Sequence, residues 1–144
     1  LGELGVHVGP LVVLTARRIG QVVKRSGNRA AVQELAEGSG YGVVRDYVGH
    51  GVGRVMHEDP EVRNYGKRGR GVKLQAGMVI AIEPMITLGT YSCHTLSNGW
   101  TVVTDDGLPA AHYENTVAIT NDGPVILTQD EEGPWCPMQG GAAQ

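Results

Sequence analysis

The sequence contains no phenylalanine and only two cysteines among its 144 residues. Cys93 and Cys136 form neither a CxxC pair nor a zinc-finger spacing, so a reducing cytoplasm is the expected setting. No apolar run approaches the length that spans a bilayer, and the first residues lack the pattern of a signal peptide. The formal net charge of -3 provides no basic surface. We therefore expect neither a membrane nor a nucleic acid as partner.

Glycine is abundant, with 22 residues, and the hydrophobic content of 41% is that of a globular protein. A chain of this length is sufficient for one domain with its own core and too short for two. We expect that domain to occupy residues 1–128. The segment 129–144 has no hydrophobic period and is expected to be a mobile tail.

The hydrophobic pattern predicts helices followed by strands, which is typical of an α+β fold. Helices are expected over 11–25 and over 29–38, the second of them closed by Gly38 or Gly40. Strand-like segments follow at 41–56, 77–89 and 99–107, with a hairpin at 111–128 that turns at Asn121, Asp122 and Gly123 and a charged loop at 61–76.

Two acidic residues interrupt segments that are otherwise apolar. Glu83 lies within "IAIEPM", and Glu114 opens "ENTVAIT". A carboxylate is costly to bury unless it is paired or binds a metal. His50 lies between two glycines in "GHG", which allow its backbone to approach another strand closely. One imidazole and two carboxylates suit Mn, Fe, Co or Zn, and one carboxylate can bridge two ions.

Each of these residues also has an ordinary structural explanation when it is considered alone. Glu83 could pair with Arg54, and Glu114 could be a surface acid. His50 could be a hydrogen-bonded structural residue, and His57 a solvated loop residue. The remaining histidines suggest no chemical partner and are interpreted as structural, or have little sequence context: His94, His112 and His7.

Four motifs together resemble a known family. "GYGVVRDYVGHGVGRVMHEDPEV", "LQAGMVIAIEPM", "GWTVVTDDG" and "AHYENTVAIT" resemble, in order and spacing, the carboxy-terminal half of a bacterial type I methionine aminopeptidase. The resemblance extends from about residue 29 to residue 128. It implies an incomplete pita-bread fold, with an antiparallel sheet and helices on one face. Other pita-bread enzymes tend to have Glu-Pro-Gly where this chain has Glu-Pro-Met.

The resemblance also assigns roles to individual residues. It implies that His50, Glu83 and Glu114 are metal ligands, with Glu114 bridging two ions. It implies that Glu83 is also a general base and that His57 contacts the substrate and stabilises the tetrahedral intermediate.

The methionine pocket is a further expectation from the same resemblance, with Met56 and Trp100 in its lining. The implied reaction removes the amino-terminal methionine of nascent proteins with water activated by two divalent ions, which are Co, Mn, Fe or Zn. The implied partners are nascent amino-termini and the ribosome, and the implied state is a cytoplasmic monomer.

The family's two aspartate ligands have no match in this sequence, and Asp46 is not a substitute because it lies within the motif around His50. We therefore expect three of the five family ligands and little or no turnover by these 144 residues alone. The alternatives are a catalytically inactive truncated remnant and a peptide-binding module.

Overall fold

The computed structural model describes residues 28–128. The helix predicted over 11–25, the tail predicted from residue 129 and His7 all lie outside the described residues. The described part contains one helix and ten strands. It contains no helix that is both long enough and apolar enough to cross a membrane.

The helix α1, Asn28–Gly38, confirms the second predicted helix. One face is buried, with Ala30, Val32 and Ala36 each 3% exposed. The helix ends where the Ala36 carbonyl accepts hydrogen bonds from the amides of Ser39 and Tyr41, and Gly40 adopts the left-handed φ of +83°. This backbone geometry favours glycine because it has no Cβ.

The strands form three antiparallel sheets. In chain order they are β1 Gly42–Val43, β2 Gly49–Gly51, β3 Glu58–Val62, β4 Val79–Ile82, β5 Met85–Thr87, β6 Cys93–Thr95, β7 Val102–Thr104, β8 Ala110–His112, β9 Asn115–Thr120 and β10 Gly123–Ile126. The five-stranded sheet has the order β10-β9-β4-β2-β3, the three-stranded sheet the order β1-β5-β8, and β6 pairs with β7 alone. The antiparallel pairing agrees with the predicted fold class.

The five-stranded sheet carries the main core. Ile80, Ile82 and Val117 are fully buried and pack with Val62. A second cluster joins α1 to the three-stranded sheet through Ala36 and its neighbours in β1 and β5. The predicted hairpin is confirmed as β9 and β10, which are joined through the turn at residues 121–122.

Three predicted strand segments have different bounds in the structure. The segment 77–89 was expected to be one buried strand, but it forms β4 and β5, which belong to different sheets. Pro84 lies between them and has no amide hydrogen to continue a ladder. The strand-like segment 41–56 contains only the short strands β1 and β2, and the segment 99–107 contains only β7. The predicted loop 61–76 is correct after Val62, where β3 ends.

Candidate metal centre

The strand β2 carries His50 deep into the five-stranded sheet. Its neighbours on both sides are glycines, and a Cβ at Gly49 would overlap the carbonyl oxygen of Ala81 in β4. A Cβ at Gly51 would overlap the carbonyl oxygen of Asp59 in β3. The two glycines therefore allow β2 to lie close to the strands on either side of it, and the imidazole between them is brought to the junction of β4 and β5.

One nitrogen of His50 is held by the backbone. Nδ1 lies 2.8 Å from the carbonyl oxygen of Gly51, so Nδ1 carries the hydrogen and donates it. Nε2, on the other side of the ring, lies 3.4 Å from Oε1 of Glu83. This arrangement, in which one ring nitrogen donates to a carbonyl and the other is free to bind, is typical of metal-binding histidines.

Glu83 lies at the point where the chain leaves one sheet and enters the other. It is 9% exposed, and its Oε2 lies 3.4 Å from Nε2 of His112. Burial raises the pKa of Glu83, and the neighbouring carboxylate of Glu114 raises it further, whereas His50 and His112 lower it. The buried carboxylate is therefore held in a site where its negative charge is only partly compensated.

The sheet register brings Glu114 opposite Glu83. Ile82 pairs with Asn115, and Met85 pairs with His112, so the same antiparallel register continues through the junction between the two sheets. The amide of Tyr113 donates to the carbonyl of Pro84 at 3.2 Å, which agrees with that register. Like charges that face each other across strands are destabilising. The fold therefore concentrates negative charge at this junction.

These three side chains converge. One ligand atom from each of His50, Glu83 and Glu114 lies within 4.8 Å of the other two. A nitrogen and two carboxylate oxygens suit a divalent first-row transition metal. A cation would stabilise the buried carboxylate of Glu83 and reduce its repulsion from Glu114. The residues present therefore fit a divalent metal ion.

A fourth side chain at this site was missed in the sequence. His112 was interpreted as structural because its neighbours in the sequence suggested no chemical partner, and that interpretation stays a prediction, but its ring does have a partner, since it contacts Glu83. The signal lies in the pairing of His112 with Met85, which becomes visible only once the register is known.

The alternative pairing of Glu83 with Arg54 is wrong, because the salt-bridge partners of Glu83 in residues 28–128 are the two histidines. His94 contacts Asp105 at 2.6 Å on the separate β6–β7 hairpin, as a structural histidine would.

The loop between β2 and β3 places His57 beside the centre. Its ring centroid lies 4.2 Å from that of His50, with the two rings tilted by 55°. Oε1 of Glu58 accepts the amide hydrogen of Val55 at 2.8 Å, which closes this loop on itself. Met56 lies in the same loop and is 73% exposed.

An apolar cavity of about 280 Å³ borders the centre through His112. Met85 and Tyr47 also line it, together with side chains of β6, β7 and β8. Trp100 lies in the turn before β7, is 86% exposed and is not part of this lining. The roles expected for Met56 and Trp100 in the methionine pocket stay predictions.

Comparison with known proteins gives the class that this fold and site define. Residues 18–121 match Metallopeptidase family M24, and the chain belongs to that family.

Within the family, the chain is similar to methionine aminopeptidases. It is 56% identical over 135 residues to the methionine aminopeptidase of Clostridium acetobutylicum, an alignment that covers 89% of this chain and 54% of that protein. It is 56% identical over 103 residues to methionine aminopeptidase 1 of Mycobacterium tuberculosis, covering 72% of this chain and 38% of that protein.

The solved methionine aminopeptidase of Thermotoga maritima superposes with a TM-score of 0.75 at 44% identity, covering 84% of this chain and 51% of that one. The predicted pita-bread fold is confirmed by this likeness. The chain spans about half the length of these relatives.

Proposed function

We propose that this chain is the metal-binding half of an aminopeptidase that removes the amino-terminal methionine from nascent proteins. The observation that supports this most directly is the convergence of one imidazole and two carboxylates, within 4.8 Å of one another, in a fold of the M24 family. His50, Glu83 and Glu114 would hold the metal. The family resemblance implies two ions per site, with Co, Mn, Fe or Zn as candidates.

A bound divalent ion would act as a Lewis acid at the scissile carbonyl and would lower the pKa of a water molecule. The side chains supply the remaining chemistry. The family resemblance implies that Glu83, besides holding the metal, would accept a proton from that water as general base. The ring of His57 lies beside that of His50 at a tilt of 55°. His57 would donate an N–H to the carbonyl oxygen of the substrate as negative charge develops there.

The apolar cavity beside His112 supports an apolar first residue in the substrate. Its lining is mostly apolar and includes Met85, together with His112, which contacts Glu83. A cavity of this kind favours a methionine side chain over a charged one. The expected partners are nascent amino-termini and the ribosome, and the expected state is a cytoplasmic monomer.

The number of ligands limits what the chain is expected to do alone. The family resemblance implies two further aspartate ligands, and neither has a match in this sequence. We therefore expect the isolated chain to bind a divalent ion and to show little or no turnover. A binding module that recognises peptides without metal is the alternative that the experiment below must separate from this.

Isothermal titration of the purified chain with Mn²⁺ or Co²⁺ tests the metal centre, with His50→Ala as the variant and His94→Ala as the matched control. The substitution at His50 removes a ligand. The His94 side chain instead bonds to Asp105, and both residues belong to the β6–β7 hairpin, which carries no metal ligand. We expect metal binding that is lost in His50→Ala and kept in His94→Ala. Equal affinities of the wild type and His50→Ala would refute the site. Hydrolysis of a Met-Ala peptide measures turnover separately, and peptide binding that is independent of metal would favour the binding module.

A further inference from the structure

Asn64 is a buried polar residue that the metal centre does not use directly. It follows β3 by two positions and is 1% exposed. Its Nδ2 donates a hydrogen bond of 3.1 Å to the backbone carbonyl of Glu83. Its Oδ1 is buried and has no hydrogen-bond partner among residues 28–128. This side chain therefore connects the segment after β3 to the backbone of a metal-ligand candidate.

The backbone of Glu83 needs such a partner because it belongs to neither sheet ladder. The pairing of β4 with β9 ends at Ile82, and the pairing of β5 with β8 begins at Met85. Pro84 follows Glu83 directly and provides no amide hydrogen. A buried carbonyl without a partner is unfavourable, and Asn64 provides the missing donor.

The orientation of the Asn64 amide follows from this contact. If the amide were turned round, Oδ1 would face the carbonyl oxygen of Glu83, and two acceptors would repel each other. In the observed orientation the buried Oδ1 lacks a partner. A leucine would keep the same branched outline, with larger methyl groups, and would leave no unpaired buried oxygen. The specific contribution of the amide is therefore its bond to Glu83, rather than the filling of space.

We propose that Asn64 is a positioning residue, which holds the backbone of Glu83 so that its carboxylate stays aligned with His50 and Glu114. This inference rests on the proposed metal centre. Partners that orient metal ligands from outside the ligand shell typically change metal affinity by roughly 10- to 100-fold when they are removed. Because Asn64 acts through the backbone, we expect a change of about tenfold, at the lower end of that range.

The test compares Asn64→Leu with Val32→Ala. Asn64→Leu keeps the branched outline of the side chain and removes the donor, whereas Val32→Ala removes a buried contact of α1, an element that supplies no metal ligand. Affinity for Zn²⁺ is measured by isothermal titration under conditions where both variants are fully folded by circular dichroism. We expect about tenfold weaker binding in Asn64→Leu and unchanged binding in Val32→Ala. Unchanged affinity in Asn64→Leu would overturn the inference, because a purely structural role lowers stability without weakening the folded site.

A second measurement does not depend on metal. The amide of Tyr113 donates to the carbonyl of Pro84, next to the contact that Asn64 makes. In Asn64→Leu we expect the exchange of this amide hydrogen to accelerate roughly tenfold beyond that in Val32→Ala, since the adjacent carbonyl loses its donor. If the wild type binds no zinc, the metal centre itself is refuted, and the exchange rate alone decides whether Asn64 holds this backbone. Equal exchange in the two variants would then reject the positioning role.

A third measurement uses the wild type, in case Asn64→Leu fails to fold. Zinc is added while the side-chain amide resonances are followed by NMR. We expect the Asn64 resonance to shift and that of Asn98, which donates to Thr101 in the β6–β7 turn, to stay in place. If zinc shifts the imidazole signals of His50 without any shift of the Asn64 amide resonance, the coupling of Asn64 to the metal centre is contradicted.

Discussion

Glu83→Gln is expected to make the metal-free protein more stable and to abolish its stabilisation by metal. The two carboxylates face each other with ligand atoms within 4.8 Å, a separation at which unit charges repel by about 3 kcal/mol at an effective dielectric of about 20. Glu114 is exposed and therefore screened, and the substitution also removes attraction from His50 and His112. We expect a net gain of about 1 kcal/mol, which corresponds to roughly 5 °C in Tm.

The same substitution removes a ligand. At a Mn²⁺ concentration of about one hundred times Kd, the wild type should gain about 2.7 kcal/mol, or roughly 10 °C or more in Tm. Glu83→Gln should gain almost nothing, because the substitution removes one of the two negative charges that attract the cation. The stabilities should therefore change order: the variant is more stable in EDTA, and the wild type is more stable in Mn²⁺.

The pH dependence follows from the raised pKa of Glu83. Because the folded state raises this pKa above its unfolded value, stability is fully present below the unfolded value and is lost as the pH rises through the folded value. Wild type and Glu83→Gln should melt together in mild acid and diverge toward neutral pH. Thermal melts by circular dichroism in EDTA, in mild acid and at neutral pH, measure the difference in Tm between the two proteins. A variant that melts below the wild type at neutral pH in EDTA would refute the electrostatic reasoning.

Three further changes test the scaffold around the centre. Gly51→Ala places a methyl group against the Asp59 carbonyl and should lower the unfolding free energy in urea by about 1–3 kcal/mol. Glu58→Ala removes the acceptor of the Val55 amide and should speed the exchange of that amide about fivefold, the factor that corresponds to about 1 kcal/mol. Ile80→Ala, at a fully buried position, should cost about 2–5 kcal/mol in the same urea assay.

Each of these changes has a matched control. Gly38→Ala should be tolerated, because no atom lies within 4 Å of the added Cβ. Glu61→Ala should leave exchange at Val55 unchanged, since Glu61 contacts the exposed Arg63 instead. Val125→Ala, at a position 49% exposed, should stay within about 0.5 kcal/mol of the wild type. A control that changes as much as its partner would contradict the corresponding local explanation.

The sequence predicted the side chains that converge because their contexts are chemically unusual. Glu83 interrupts one apolar segment, and Glu114 begins another. His50 lies between glycines that allow close strand packing. These are local signals that require no knowledge of the fold. The family resemblance then connected the three segments, and the structure brings their ligand atoms together.

The partners of these residues could not be predicted, because they depend on register and topology. His112 contacts Glu83 because β8 pairs with β5, and nothing within "AAHYE" indicates which strand lies beside it. Asn64 is an ordinary loop residue in the sequence, and its bond to Glu83 depends on where the chain runs after β3. The change of sheet at Pro84 was missed because apolar residues on both sides of Glu83 and Pro84 are equally consistent with one interrupted strand.

The position of the two glutamates follows from a single feature of the topology. Two of the points at which the chain changes sheets, from β4 to β5 and from β8 to β9, are paired with each other. Glu83 lies in the first crossing and Glu114 in the second. Since the pairing is fixed on both sides, the carboxylates cannot separate through the backbone without breaking one of the two ladders. A proton on the buried glutamate or a cation between the two carboxylates reduces their repulsion without breaking a ladder. At neutral pH a divalent ion provides more compensating charge. Metal binding and the pairing of the two sheets should therefore stabilise each other.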